Sequence, residues 1–204
     1  MAELSKEINQ ELYNLLQSIA KEGLTNAASG LSSMVGANLR VDNPCVKMIN
    51  VKEIPMALGG PESEAVGIYL KSEGDLSGHF MLIIPYLKAM ELVDMLMEVP
   101  PGSTTELGAM ERSALAEVGN LTTAFFLNAV AALTGIAARP TPPAVMVDMV
   151  GAILDIIVTA TGGIEDFVLT FQASFICKDR SVQSDFWVIP DKTTLKVFAD
   201  KLLV

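Results

Sequence analysis

The chain is poor in basic residues, which limits the partners it can have. It contains 14 Lys and Arg against 24 Asp and Glu, and its formal net charge is −10 at pH 7. Affinity for a nucleic-acid backbone depends on clustered Lys and Arg, and an acidic chain has little attraction for an anionic lipid surface. We therefore expect neither a nucleic acid nor a membrane among its partners.

Histidine and cysteine are also scarce. The single histidine, His79, and the two cysteines, Cys45 and Cys177, match no metal-binding or redox spacing. We interpret His79 as a residue at the start of a strand, and the cysteines as reduced packing residues, which is the usual state of cytosolic thiols. The sequence thus predicts no metal site of the protein's own.

A long uninterrupted apolar run is absent. The most apolar stretch, residues 144–160, is interrupted by Asp148 and Asp155 and is too short for a membrane span. The first 20 residues are amphipathic and carry early acidic residues, unlike a signal peptide. We therefore expect a cytoplasmic protein, and its 50% of hydrophobic residues can form a sizeable core.

Similar segments recur along the chain. Pro85 and Pro190 each end an apolar stretch that precedes a helical pattern, and they lie 105 residues apart. Pro44 matches Pro143, which lies 99 residues later in a similar context. This spacing indicates a tandem duplication, with about six extra residues in the second half.

The pattern within each repeat predicts an α+β fold. A long helical periodicity comes first, an extended or mixed segment follows, and then two strands form a hairpin before a closing helix. Antiparallel hairpins covered by long helices imply an antiparallel β-sheet with pseudo-two-fold symmetry. We expect one domain, 1–204, with repeats at about 1–100 and 105–204. The predicted helices are 3–35 (with a break near Gly23 left open), 86–98, 106–134 and 191–202. A helical or mixed segment is expected at 143–160, and strands at 164–177 and 184–189.

The long helix of the second half carries a line of polar residues. Ser113, Glu117 and Asn120 are spaced at i, i+4 and i+7, so that they share one side of the helix. The solvated face of an amphipathic helix would show the same pattern. However, Gly119 and Asn120 are poor helix formers, and together they cost about 1–1.5 kcal/mol of helix propensity. This cost indicates that something other than helix stability favours the pair.

A carboxylate one turn before a carboxamide suits a site that meets another molecule. The Glu117 carboxylate can pair with a Lys across an interface. The Asn120 carboxamide both donates and accepts hydrogen bonds, which is enough to hold a water in line with a phosphoryl group. Neither residue has to be a strong base for this role.

The same residues carry a resemblance to a known family. Ser113, Glu117 and Asn120, followed after 22 residues by Pro143, match the signature of the CheC/CheX/FliY phosphatases of bacterial and archaeal chemotaxis. The duplicated architecture, the length of about two hundred residues and the acidic chain agree with this family. Length and duplication make the chain most similar to CheC.

The resemblance implies hydrolysis of the aspartyl phosphate on a CheY-type response regulator. The regulator would bring its own phospho-Asp and Mg²⁺, so the protein would need no cofactor of its own. By position, Glu117 would anchor a Lys of the regulator and Asn120 would orient the attacking water. Ser113 and Pro143 would support the helix and its approach.

The first half departs from this signature. Ser18 and Lys21 stand at the positions that correspond to Glu117 and Asn120, although Pro44 is retained. Lys21 can neither orient a water as an amide does nor avoid the cationic groups of the regulator. We therefore expect one active site instead of two. Two alternatives stay open, a non-catalytic chemotaxis adaptor that binds CheD or a receiver domain, and an unrelated ligand-binding α+β domain.

Overall fold

The computed structural model describes residues 10–35, 38–160, 167–177 and 180–190. Helices alternate with the strands of one antiparallel sheet along these ranges, in the same order in both halves. The elements in chain order are α1 (Gln10–Val35), β1 (Leu39–Asn50), a 3₁₀ turn (Val51–Glu53), α2 (Ile54–Ala57), β2 (Glu64–Gly74), β3 (Gly78–Pro85), α3 (Tyr86–Leu96), α4 (Ala109–Thr134), β4 (Ala138–Pro140), β5 (Ala144–Met149), α5 (Val150–Ala160), β6 (Phe167–Cys177) and β7 (Arg180–Pro190).

The sheet joins the two halves by exchanging their first strands. Its order is β1-β6-β7-β3-β2-β4, and β5 also pairs with β2. Strand β1 of the first half therefore lies against β6 of the second half, and β4 and β5 of the second half lie against β2 of the first. The register repeats as well, since Leu39 lies opposite Cys177 and its counterpart Ala138 lies opposite Gly74. The α+β prediction is therefore confirmed.

The centre of the sheet is symmetric too. Met81 pairs with Trp187 and Leu82 pairs with Phe186, so that a pseudo-two-fold axis passes between β3 and β7. The long helices α1 and α4 pack against each other on one face of the sheet. These repeated pairings are what a duplicated unit would produce, while the duplication itself and the single-domain boundary stay predictions.

Two apolar cores lie on opposite faces of this sheet. Strand side chains alternate between the faces. Ile68 of β2 enters the larger core, and Ala65, three residues earlier on the same strand, enters the smaller one. Helices α1, α3 and α4 cover the larger core, whereas α2 and α5 cover the smaller one. The two long helices thus lie on the same side of the sheet.

Helix α1 runs without a break through Gly23, so the break that the sequence left open there does not occur. A Cβ atom on Gly23 would lie 2.9 Å from the Cα of Phe126. Glycine is present there because α1 and α4 cross with their backbones in close contact, and the buried crossing outweighs the helix-propensity cost. Two parts of the predicted helices lie outside the described residues, namely residues 3–9 of the first helix and the whole of the last helix, 191–202.

Other expectations on local structure hold in more detail. The segment 143–160 is mixed, with strand β5 running directly into helix α5. His79 lies near the start of β3, half-buried, and its Nδ1 atom is 2.6 Å from the hydroxyl of Tyr69 on the paired strand. Cys45 is a half-buried free thiol.

Helix α4 is long and apolar enough to cross a membrane by length and composition alone. Half of its most apolar window is buried inside the protein. Leu115, Phe126 and Val130 pack in the larger core against α1 and the sheet. This burial is the behaviour of a core helix.

The join between the halves is held by a buried carboxylate. Asp94 on α3 is 1% exposed, and it accepts hydrogen bonds from the backbone N–H groups of Gly102 at 2.7 Å and Thr104 at 2.8 Å. Burial opposes ionisation, but the hydrogen bonds from Thr104, Gly102 and Ser103 outweigh it and lower the pKa of Asp94 below its ordinary value. The loop that leads into α4 is therefore held against α3 by hydrogen bonds.

We expect Asp94→Asn to lower the free energy of unfolding by about 1.5–3 kcal/mol at neutral pH, because an amide nitrogen would face one of the two N–H donors. The pKa of Asp94 is lower in the folded state than in the unfolded state. The stabilisation that its ionised carboxylate gives the wild-type protein is therefore complete above pH values near 4, and it is lost as the pH falls through the folded pKa. Urea unfolding of both proteins between pH 3 and 7 measures the difference.

Glu91→Gln on the same helix is the matched control. Glu91 forms a salt bridge of 2.7 Å with Lys88, and both side chains are 46% exposed. Its loss is expected to change stability by less than about 1 kcal/mol. An Asp94→Asn protein as stable as wild type at pH 7 would contradict the assignment.

Candidate functional site

Helix α4 is the element that carries the predicted site residues. Its cap residue, Gly108, has no side chain to accept a hydrogen bond, and Arg112 folds back so that its Nε donates to the carbonyl of Leu107 at 2.9 Å. The helix ends at Gly135, which adopts the left-handed conformation with φ 73°. Its inward face begins at Leu115, so the first turn stands clear of the core.

The polar line lies on the side of α4 that reaches solvent. Ser113 is exposed, and its Oγ donates to the carbonyl of Ala109 at 2.9 Å. Glu117 and Asn120 are half-buried, and the Asn120 Nδ2 atom lies 3.4 Å from the Glu117 Oε2 atom. The structure therefore brings the predicted catalytic pair together and leaves both side chains accessible.

The contact between Glu117 and Asn120 orients the carboxamide. An ionised carboxylate can only accept hydrogen bonds, so the amide nitrogen faces Glu117 and the carbonyl Oδ1 atom points elsewhere. At 3.4 Å the hydrogen bond is long and weak, and it leaves the Glu117 carboxylate able to bind a cation as well. The pair thus offers an anion for a positive group and an oxygen acceptor for a water.

Gly119 has a structural explanation that the sequence did not reveal. It is buried, and a Cβ atom there would lie 2.4 Å from the Cγ2 of Ile68 on strand β2. Glycine is required because the helix backbone presses directly against the sheet. The helix-propensity cost of Gly119 therefore reflects packing, and only Asn120 remains without a structural reason.

We expect Gly119→Ala to lower the free energy of unfolding by about 1–3 kcal/mol, since the added methyl group overpacks the contact with Ile68 by more than the improved helix propensity returns. Denaturant unfolding measures the loss of stability.

The double variant with Ile68→Ala separates overpacking from other causes. Removing the Ile68 side chain opens the space that the new methyl group needs, so the two changes together should destabilise less than the sum of their separate effects. Strict additivity of the two free-energy changes would show that the methyl group does not meet Ile68.

The corresponding line of the first half is present but has different chemistry. Ser18 and Lys21 are exposed on α1, and the Ser18 Oγ donates to the carbonyl of Asn14 at 3.0 Å. Neither position has a carboxylate or a carboxamide. The fold thus supplies two equivalent surfaces, and only the one on α4 carries the Glu and Asn pair.

The two prolines of the motif lie at equivalent interruptions of the sheet. Pro44 falls within the irregularity between Asp42 and Cys45 of β1, and Pro143 falls between β4 and β5. A proline has no N–H to donate, which suits a position where strand pairing is interrupted. Beside Pro143, the backbone of Thr141 is fastened to Lys71 of β2 by a hydrogen bond of 2.8 Å.

In the part of the chain that the structure describes, no group of three or more His, Cys, Asp or Glu side chains could hold a metal ion.

Comparison with known proteins agrees with this fold. FliY from Thermotoga maritima has the same fold, with a TM-score of 0.75 and 18% identity, over 100% of this chain and 98% of that one. CheX in the CheX–CheY–BeF3–Mg²⁺ complex from Borrelia burgdorferi is similar over 85% of this chain and 98% of that one, with a TM-score of 0.51 and 19% identity. The fold is therefore that of FliY and CheX.

Sequence comparison gives the family. The CheC-like family matches residues 110–147, which include the whole motif from Ser113 to Pro143. The CheY-P phosphatase CheC of Bacillus subtilis (strain 168) is 30% identical over 149 residues, which are 72% of this chain and 71% of that protein. The chain belongs to the CheC-like family.

Proposed function

We propose that this protein hydrolyses the aspartyl phosphate of a CheY-type response regulator through Glu117 and Asn120. The observation that carries the proposal is the placement of this pair on one accessible side of α4, in mutual contact at 3.4 Å. The similarity to the CheY-P phosphatase CheC of Bacillus subtilis supports the reaction. The solved complex of CheX with CheY supports the kind of partner.

Asn120 orients the water that attacks phosphorus. Its nitrogen is turned toward Glu117, and its Oδ1 atom accepts a hydrogen bond from the water and directs an oxygen lone pair at the phosphoryl group. A P–O bond forms to the water as the P–O bond to the aspartyl carboxylate breaks. The products are inorganic phosphate and a free aspartate on the regulator, in keeping with a transfer that depends on positioning.

Glu117 binds the regulator. Its carboxylate accepts hydrogen bonds from a Lys side chain beside the phosphorylated aspartate, and this charge-assisted contact fixes the distance between α4 and the phosphoryl group. Mg²⁺ would be supplied by the regulator, because Glu117 is used for the Lys and Asn120 for the water. Ser113 lies one turn before Glu117 and keeps this edge of the helix polar.

The first half has no second active site in this proposal. Lys21 would bring a positive charge toward the cationic Lys and metal of the regulator, and Ser18 is too short to replace the anchoring carboxylate. Each protein therefore acts on one regulator at a time through α4. We place the reaction in the cytoplasm.

We expect Asn120→Ala to lower the maximal rate of receiver dephosphorylation by about 10²-fold, because the oriented water matters chiefly in the transition state. Glu117→Ala should in addition raise the half-saturating receiver concentration by about tenfold, since it removes an intermolecular ion pair. Steady-state dephosphorylation of a phosphorylated CheY-type receiver, measured at several receiver concentrations, gives both quantities.

Ser18→Ala and Lys21→Ala are the controls on the equivalent surface of α1. Both residues are exposed, so the substitutions should leave folding and rate within about twofold of wild type. Loss of activity in the Lys21 variant, or full activity in the Asn120 variant, would contradict the proposal. Binding of the receiver or of CheD without any hydrolysis would instead make the protein an adaptor.

A further inference from the structure

The polar line of α4 continues into an exposed methionine. At 100° per residue, Met110 lies about 20° around the helix from Glu117 and about 10 Å along its axis toward the N-terminus. Ser113 lies between them on the same side. Met110 is therefore the next side chain along the surface that carries the proposed catalytic pair.

The fold does not use this methionine. Met110 is 70% exposed and belongs to neither apolar core of the described residues. The first fully buried residue of α4 is Leu115, five positions later. A polar residue of similar length, such as Gln, would have nearly the same helix propensity and would avoid the cost of an apolar side chain in water.

Two other exposed apolar side chains lie away from this side of α4. Leu133, the other large exposed hydrophobic residue of α4, is 44% exposed but lies about 160° around the helix from Glu117. Met56 is 73% exposed and lies on α2, which covers the opposite face of the sheet. Among these residues, Met110 alone shares the side of Glu117 and Asn120.

An apolar contact at this place would supply what the polar pair lacks. Glu117 and Asn120 align the reacting groups and add one ion pair, whose gain is partly offset by desolvation, whereas an apolar contact gains free energy by leaving water. A methionine is flexible and polarisable, so it can pack against an apolar patch without a closely matched shape.

We propose that Met110 is a binding residue for the receiver domain, and that it packs on an apolar patch beside the phosphorylated aspartate. This inference rests on the proposed function, because the occupant of the surface is the regulator that Glu117 and Asn120 act on. Met110 contributes to association and takes no part in the chemical step.

The test compares Met110→Gln with Met110→Leu. The Gln variant keeps the length of the side chain and removes its apolar character, so it should raise the half-saturating receiver concentration about three- to tenfold with the maximal rate within twofold of wild type. The Leu variant keeps the apolar character and should behave as wild type. Dephosphorylation rates measured at several receiver concentrations give the maximal rate and the half-saturating concentration. Titration with a beryllofluoride-activated receiver gives the dissociation constant separately.

Leu133→Gln and Met56→Gln are the matched controls, and both should leave the half-saturating concentration unchanged. The inference is overturned if Met110→Gln binds as wild type does, if either control weakens binding equally, or if only the maximal rate falls. If the wild-type protein binds the activated receiver but does not hydrolyse its phosphate, the proposed function fails, and the dissociation constants still test Met110. If it does not bind the receiver, both fail.

Discussion

The contact between Gly119 of α4 and Ile68 of β2 determines how the site is presented. At this point the helix backbone lies so close to the sheet that a single methyl group would collide with the Ile68 side chain. The contact fixes the rotation of α4 about its own axis, because any other side would place a larger residue against the strand. With Gly119 held inward, the adjacent Asn120 and the preceding Glu117 are directed toward the surface. Precise placement of the pair thus derives from core packing.

The strand exchange between the halves gives the fold two equivalent surfaces, and the chain uses them differently. The registers of β1 with β6 and of β2 with β4 and β5 are the same, and α1 and α4 cover the same face of the sheet. Packing constrains the inward sides of both helices, whereas their outward sides are free to differ. Ser18 and Lys21 can therefore replace a Glu and Asn pair without cost to the core. A symmetric scaffold in this way carries a Glu and Asn pair on one of its two long helices only.

The position at which α4 begins depends on the buried hydrogen bonds of Asp94. Asp94 binds the loop that connects α3 to α4 through two backbone N–H groups, and this sets where α4 begins. Because the first turn of α4 stands clear of the core, its orientation relies on this loop and on the contact between Arg112 and Leu107. A binding residue in that first turn, as inferred for Met110, would be positioned by the join between the halves and could vary without disturbing Glu117 or Asn120.

The sequence by itself determined the order of the elements, their repeat and the motif on α4, since all three depend on local periodicity and spacing. Ser113, Glu117 and Asn120 could be assigned to one side of a helix because 3.6 residues per turn is a property of the backbone. Only the tertiary structure decided why Gly119 and Gly23 stand inside long helices, since a side chain at these positions would collide with Ile68 and Phe126, far away in the chain. It also decided which strands exchange between the halves and that Asp94 holds the connecting loop. Close packing and buried hydrogen bonds join residues that are distant in sequence, and no local pattern records their partners.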